Sequence, residues 1–169
     1  DTFFELSKSK PASRADFIVW PEYSYAVDPR RDRQTWPRLQ SLARDEKCIF
    51  IFGGEDQFDR AHANRFRNTA FVLGPDGALL GTHVKNHLVH FYQDGQPGKE
   101  AKAIDTPKGR IGVAICFDMD YPDSEAWRIY FERTKDPTYK WVRTEYGQYK
   151  SPSRFSEWKR EFDQMLAKD

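Results

Sequence analysis

Gly109-Arg110-Ile111-Gly112-Val113-Ala114-Ile115-Cys116-Phe117-Asp118 is the most strand-like stretch of the chain, with glycine and alanine where close packing is needed. The expected strand ends at Cys116, just before a turn. A cysteine so placed can present its sulfur at the edge of a sheet, where ligands and nucleophiles sit in α/β folds. Taken alone, Cys116 reads as an inert buried thiol, because free cysteine is among the most buried residue types. Its interest comes from what the preceding strands bring beside it.

Working toward the N-terminus, Ala78-Leu79-Leu80-Gly81-Thr82-His83-Val84 reads as a strand and is followed by Lys85. Its hairpin partner is the segment 68–73, joined through Gly74-Pro75-Asp76-Gly77, a strong turn signal. Cys48-Ile49-Phe50-Ile51-Phe52 is an apolar run expected to stop at Gly53-Gly54. Residues 33–47 place Trp36, Leu39, Leu42 and Ala43 at helical spacing, giving one apolar face. Phe17-Ile18-Val19-Trp20 is expected to be a buried strand stopped by Pro21, with Glu22 held where it ends. A short strand over residues 102–106 and a turn at Pro107-Lys108-Gly109 complete an alternating α/β pattern.

Three strands thus each end in one reactive group: the Glu22 carboxylate, the Lys85 ammonium and the Cys116 thiol. In neighbouring strands of one sheet they converge. A thiol nucleophile needs a base to take its proton and a cation to hold negative charge. A partly desolvated glutamate supplies the first. A lysine supplies the second and stabilises charge developing on a carbonyl oxygen during attack. Singly, Glu22 and Lys85 read as solvated turn and edge residues; the constellation is stronger than its parts.

In order and flanks these segments resemble the carbon–nitrogen hydrolase (nitrilase) superfamily. The resemblance runs through Asp16-Phe17-Ile18-Val19-Trp20-Pro21-Glu22, Lys85-Asn86-His87-Leu88-Val89-His90-Phe91 and the Cys116 block, over residues 16–122. The last block, with Asp120-Tyr121-Pro122, looks most like the branch of the apolipoprotein N-acyltransferase catalytic domain. The resemblance implies an αββα sandwich, here incomplete. It also implies a triad of Glu22 as base, Lys85 as transition-state stabiliser and Cys116 as acyl-forming nucleophile. The implied chemistry is attack on an amide or nitrile carbon, a thioester intermediate, and transfer to water or an amine. A second glutamate normally follows the lysine motif; here Gln93 or Asp94 falls at that place, and His90 replaces a proline. Phe117 and Asp118, with Gln93 and Asp94, are the expected substrate contacts.

Composition narrows the rival classes. The 169 residues carry 27 Lys+Arg against 26 Asp+Glu, a net charge of +1, so global charge points neither to nucleic acid nor to an anionic membrane. No apolar run approaches the roughly 18 residues that a membrane span needs. Asp1-Thr2-Phe3-Phe4 lacks the marks of a signal peptide. The two cysteines, Cys48 and Cys116, make no disulfide framework, so a reducing, cytoplasmic compartment is expected. His83 and His87 are four apart in a segment read as strand and loop, which does not make a metal site. No metal or other cofactor is expected.

The chain divides, on this reading, into a partial nitrilase-like domain over residues 1–123 and a helical, aromatic-rich extension over 124–169. Within the extension Phe155, Trp158, Phe162, Met165 and Leu166 form one stripe. It is expected to cover an open sheet face of its own chain or of a homo-oligomeric partner. The leading expectation is a hydrolase of small amide or nitrile substrates. An N-acyltransferase with the same triad, or a catalytically impaired interaction module, is the alternative.

Overall fold

The computed structural model describes residues 2–8, 15–59, 62, 65–89, 94–100 and 102–120, with side chains through 118. The expected helical extension over 124–169, with its apolar stripe, lies outside the described residues, as do His90 and Gln93. Helix α1 spans Thr2–Lys8, α2 Thr35–Glu46, and six strands follow in chain order: β1 Phe17–Val19, β2 Ile49–Asp56, β3 Arg67–Leu73, β4 Leu79–Val84, β5 Ile104–Thr106 and β6 Gly109–Ile111. Strands β1 to β4 form one sheet in sequence order, β1 parallel to β2 and the rest antiparallel. Strands β5 and β6 form a separate two-stranded ribbon. The chain is mixed α/β, as its alternation of apolar runs predicts. Among the described residues no helix is long and apolar enough to cross a membrane.

Helix α2 begins where Asp32 accepts hydrogen bonds from the backbone N–H groups of Gln34 and Thr35 and from the Thr35 hydroxyl. It ends where Lys47 turns left-handed at φ 49° and returns its N–H to the last helical turn. Leu39, Leu42 and Ala43 are buried, as their spacing predicts, against Phe50, Phe52, Phe71 and Leu73 on one face of the sheet. The phenylalanines interlock, Phe52 stacking on Phe71 at 5.5 Å between centroids. Trp20 joins the cluster edge-on to Phe50 and to Phe4 of α1. Helix α1 has no apolar run of its own and escapes sequence reading.

Residues facing the other way, Ile49, Ala70 and Val72, pack with Ile104, Val113 and Ile115. The sheet therefore has a helix-covered face and a ribbon-covered face. Gly81 allows the second: a Cβ there would meet the Ile104 side chain at 3.1 to 3.3 Å.

Three expectations are corrected. Strand β1 is not buried on both sides: Phe17 and Val19 are 39% and 65% exposed, and only Ile18 turns to the core. Strand β2 does not stop at the glycines but runs through Gly53 and Gly54 to Asp56. The strand expected to reach Cys116 pairs only over Gly109–Ile111, because its partner β5 is three residues long. Beyond it, Val113 and Ile115 lie face-down on the large sheet instead of continuing a ladder.

Candidate active site

Lys85 extends β4 by one residue: its N–H donates to the Asn68 carbonyl at 2.9 Å. Alternation along β4 puts Lys85 on the ribbon-covered face with His83, and both are buried. Lys85 Nζ meets Glu22 Oε1 at 2.9 Å and Asp94 Oδ2 at 2.6 Å. Asn68 Nδ2 donates to the same two carboxylates, to Glu22 Oε1 at 2.6 Å and Asp94 Oδ1 at 2.7 Å. The Tyr23 hydroxyl donates to Asp94 Oδ1 at 3.0 Å. Two carboxylates, one ammonium, one amide and one phenol thus close a single network.

Glu22 and Lys85 were expected at the ends of neighbouring strands. They are not: β1 and β4 are separated by β2 and β3. The loop after β1 crosses the sheet face at Gly53, where an added Cβ would meet Tyr23 N, Glu22 Cα and Pro21 O at 2.6 to 2.9 Å. The bare glycine lets the loop lie on the strand and carry Glu22 across to Asn68 and Lys85.

Cys116 opens a 3₁₀ turn, Cys116–Asp120, at φ 46°, a left-handed conformation uncommon for a side chain with a Cβ. It is exposed, whereas Cys48 is buried. Although the residue is exposed, partial desolvation of its sulfur pushes the thiol up, as do the Glu22 charge and the Glu22 carboxylate as acceptor; Lys85 and the Phe117 N–H oppose them. At neutral pH the resting group is therefore a thiol beside a carboxylate. Burial works against the Lys85 charge, but the hydrogen bonds to Asp94 and Glu22 outweigh it and hold Lys85 above the ordinary lysine value. Burial likewise works against the Asp94 charge, and hydrogen bonds from Lys85, Asn68 and Tyr23 hold it below the ordinary carboxylate value.

The structure brings Glu22, Lys85, Cys116 and Asp94 together. Phe117 follows the cysteine and is half-buried. Asp118 is 1% exposed and faces inward: Oδ1 accepts from the N–H groups of Asn86 and His87, and Oδ2 from Ile115 N–H and His83 Nε2. Asn68 and Tyr23 escaped sequence reading. A signal for Asn68 exists: in Asn68-x-Ala70-x-Val72 it is the polar end of an otherwise apolar face, two residues before Ala70.

A family model described as carbon-nitrogen hydrolase matches residues 4–151. The chain belongs to the carbon-nitrogen hydrolase family. Among curated relatives it is 29% identical over 135 residues to an apolipoprotein N-acyltransferase of Geobacter metallireducens, covering 69% of this chain and 26% of the relative. It is 32% identical over 124 residues to an omega-amidase of Homo sapiens, covering 68% and 42%. The chain thus spans less than half the length of these relatives. Among solved structures it is similar to Saccharomyces cerevisiae Nit3, a member of branch 10 of the nitrilase superfamily, at TM-score 0.56 and 29% identity over 72% of this chain and 49% of that one. The fold is of the nitrilase type.

Proposed function

We propose that this family member hydrolyses a carbon–nitrogen bond of a small amide through a thioester on Cys116. The observation that carries the reading is Glu22, which accepts from Lys85 Nζ at 2.9 Å and whose carboxylate acts on the Cys116 thiol beside it. In this reading Glu22 takes the thiol proton as sulfur attacks the carbonyl carbon. Lys85, fixed between two carboxylates, faces the oxyanion that forms, and the Phe117 N–H lies beside it. Glu22 returns the proton to the leaving nitrogen, the C–N bond breaks and the amine departs. Water then attacks the thioester carbon, giving up its proton to a carboxylate; the C–S bond breaks, the acid departs, and the proton passes to sulfur to restore the thiol. Asp94 takes the place of the second carboxylate expected at Gln93 or Asp94. The amide is preferred over a nitrile because omega-amidases are among the relatives.

The similarity to an N-acyltransferase supports a second acceptor for the same acyl group, an amine in place of water. Incubation of the full chain with small amides or activated esters, followed by intact mass, tests both. An acyl adduct is expected on the wild type and not on Cys116→Ala, and added amine should divert product from acid to amide. Turnover that survives in Cys116→Ala removes the reading.

A further inference from the structure

We propose that His83 is a positioning residue: its imidazole anchors Asp118 as a strut that locks the Cys116 turn to the Lys85 loop. The inference rests on the reading of Cys116 as nucleophile and Lys85 as its electrostatic partner. Its starting point is the distribution of donors around one carboxylate. Asp118 Oδ2 takes His83 Nε2 at 2.9 Å and Ile115 N–H at 3.1 Å. Asp118 Oδ1 takes Asn86 N–H at 3.0 Å and His87 N–H at 2.8 Å. Ile115 immediately precedes Cys116, and Asn86 immediately follows Lys85. One side chain therefore ties together the backbones on which both reacting groups sit.

A tie is needed here. Cys116 stands in a left-handed conformation, which persists only where the surroundings over-determine it. The chain leading to it, residues 112–115, has no strand partner among the described residues. The turn closes through Asp118 N–H to Ile115 carbonyl at 3.0 Å, but that bond is internal and does not fix the turn relative to Lys85. Asp118 does, and among the described residues His83 is its one side-chain donor on the large sheet. Because a carboxylate only accepts, the imidazole must carry its proton on Nε2. His83 lies two residues before Lys85 on the same face of β4 and is 3% exposed. The strut therefore starts on the strand that carries the ammonium and ends in the turn that carries the sulfur.

The test compares His83→Leu with His83→Gln, whose side-chain amide can donate from about the place of Nε2. Two readings are taken on full-length protein: kcat and KM on an amide substrate, and the pH midpoint of Cys116 alkylation by iodoacetamide, with buried Cys48 as internal control. Misplacing reacting groups by about 1 Å costs on the order of 100-fold. In His83→Leu we expect kcat to fall by about that factor, with KM within about twofold. The alkylation midpoint should move back toward the ordinary thiol value of 9.0, because the sulfur leaves Glu22 and Lys85. His83→Gln should restore most of both. A folded His83→Leu with wild-type kcat and midpoint overturns the strut, as does a folded His83→Gln as impaired as His83→Leu. If the wild type turns over no amide, the hydrolase reading fails while the alkylation midpoints still decide the strut.

Discussion

Lys85 Nζ and Asp94 Oδ2 lie 2.6 Å apart, and neither side chain is more than 2% exposed. Asp94 is thereby the second carboxylate on the ammonium. Asp94→Asn leaves Lys85 with Glu22 alone. Removing one partner of a buried pair costs about 3 kcal/mol or more, and loss of a placed carboxylate lowers kcat by on the order of 100-fold. Gln93→Glu should bring no gain, since the network already holds its second acid. Urea unfolding and steady-state rates check both. A Gln93→Glu variant that outpaces the wild type would transfer the role to position 93.

Asp118 and Asp94 give the fold an acid limit with a defined sign. Burial disfavours both charges, yet hydrogen bonds from His83, His87 N–H and Ile115 N–H hold Asp118 below its ordinary 3.8, and those from Lys85, Asn68 and Tyr23 do the same for Asp94. A depressed folded-state pKa contributes stability that is fully present above the unfolded value and is lost as pH falls through the folded one. Urea midpoints should therefore hold from pH 7 to about 4.5 and drop below that. Asp118→Asn should start lower at pH 7 and fall less steeply in acid. Parallel curves for the two proteins would remove Asp118 from the account.

How far the sequence reveals this site follows from how each residue is placed. Cys116, Lys85 and Glu22 are legible because each ends an apolar run, and apolar periodicity is a local signal. The route by which Glu22 arrives is not legible. It depends on a loop lying across Gly53, a contact between residues about thirty positions apart. The glycine reads locally as a strand stop, when it is a strand residue cleared for another backbone. Val113 and Ile115 mislead for a related reason: their apolar pattern fits strand pairing and face-on packing equally, and the short β5 decides it. Asp118 reads as a substrate contact because it adjoins Cys116; of its four donors, two come from the loop after β4 and one from β4 itself, some thirty positions earlier, where no local pattern points to it.

Gly53 turns that lesson into an experiment. A methyl group at this position meets three backbone atoms, Tyr23 N, Glu22 Cα and Pro21 O, none of which can rotate away. Overpacking of this kind costs about 1 to 3 kcal/mol. Gly53→Ala should also displace Glu22 and lower kcat by on the order of 100-fold. Gly54→Ala is the control: its methyl meets side-chain atoms of Pro29 and Phe71 at 3.3 to 3.5 Å on the other face, away from Glu22. Equal loss of activity in the two variants would show that the strand, and not the loop upon it, is what matters.

Glu22 should have opposite effects on thiol reactivity and on turnover. The thiol is held up by its partial desolvation, by the Glu22 charge and by the Glu22 carboxylate as acceptor, and is drawn down by Lys85 and the Phe117 N–H. Glu22→Gln removes the charge and the carboxylate acceptor while leaving Lys85 paired to Asp94. The thiol's pKa should therefore fall, the thiolate fraction at neutral pH should rise, and iodoacetamide should label Cys116 faster than in the wild type. Amide turnover should fall by about 100-fold or more, because no base remains to take the thiol proton and return it to the leaving nitrogen. Faster labelling with slower catalysis separates a base from a mere structural support, whose loss would lower turnover without making the thiolate easier to form. Should Glu22→Gln label more slowly than the wild type while keeping its fold, Lys85 does not act on the sulfur as its position implies, and the electrostatic half of the site must be reassigned.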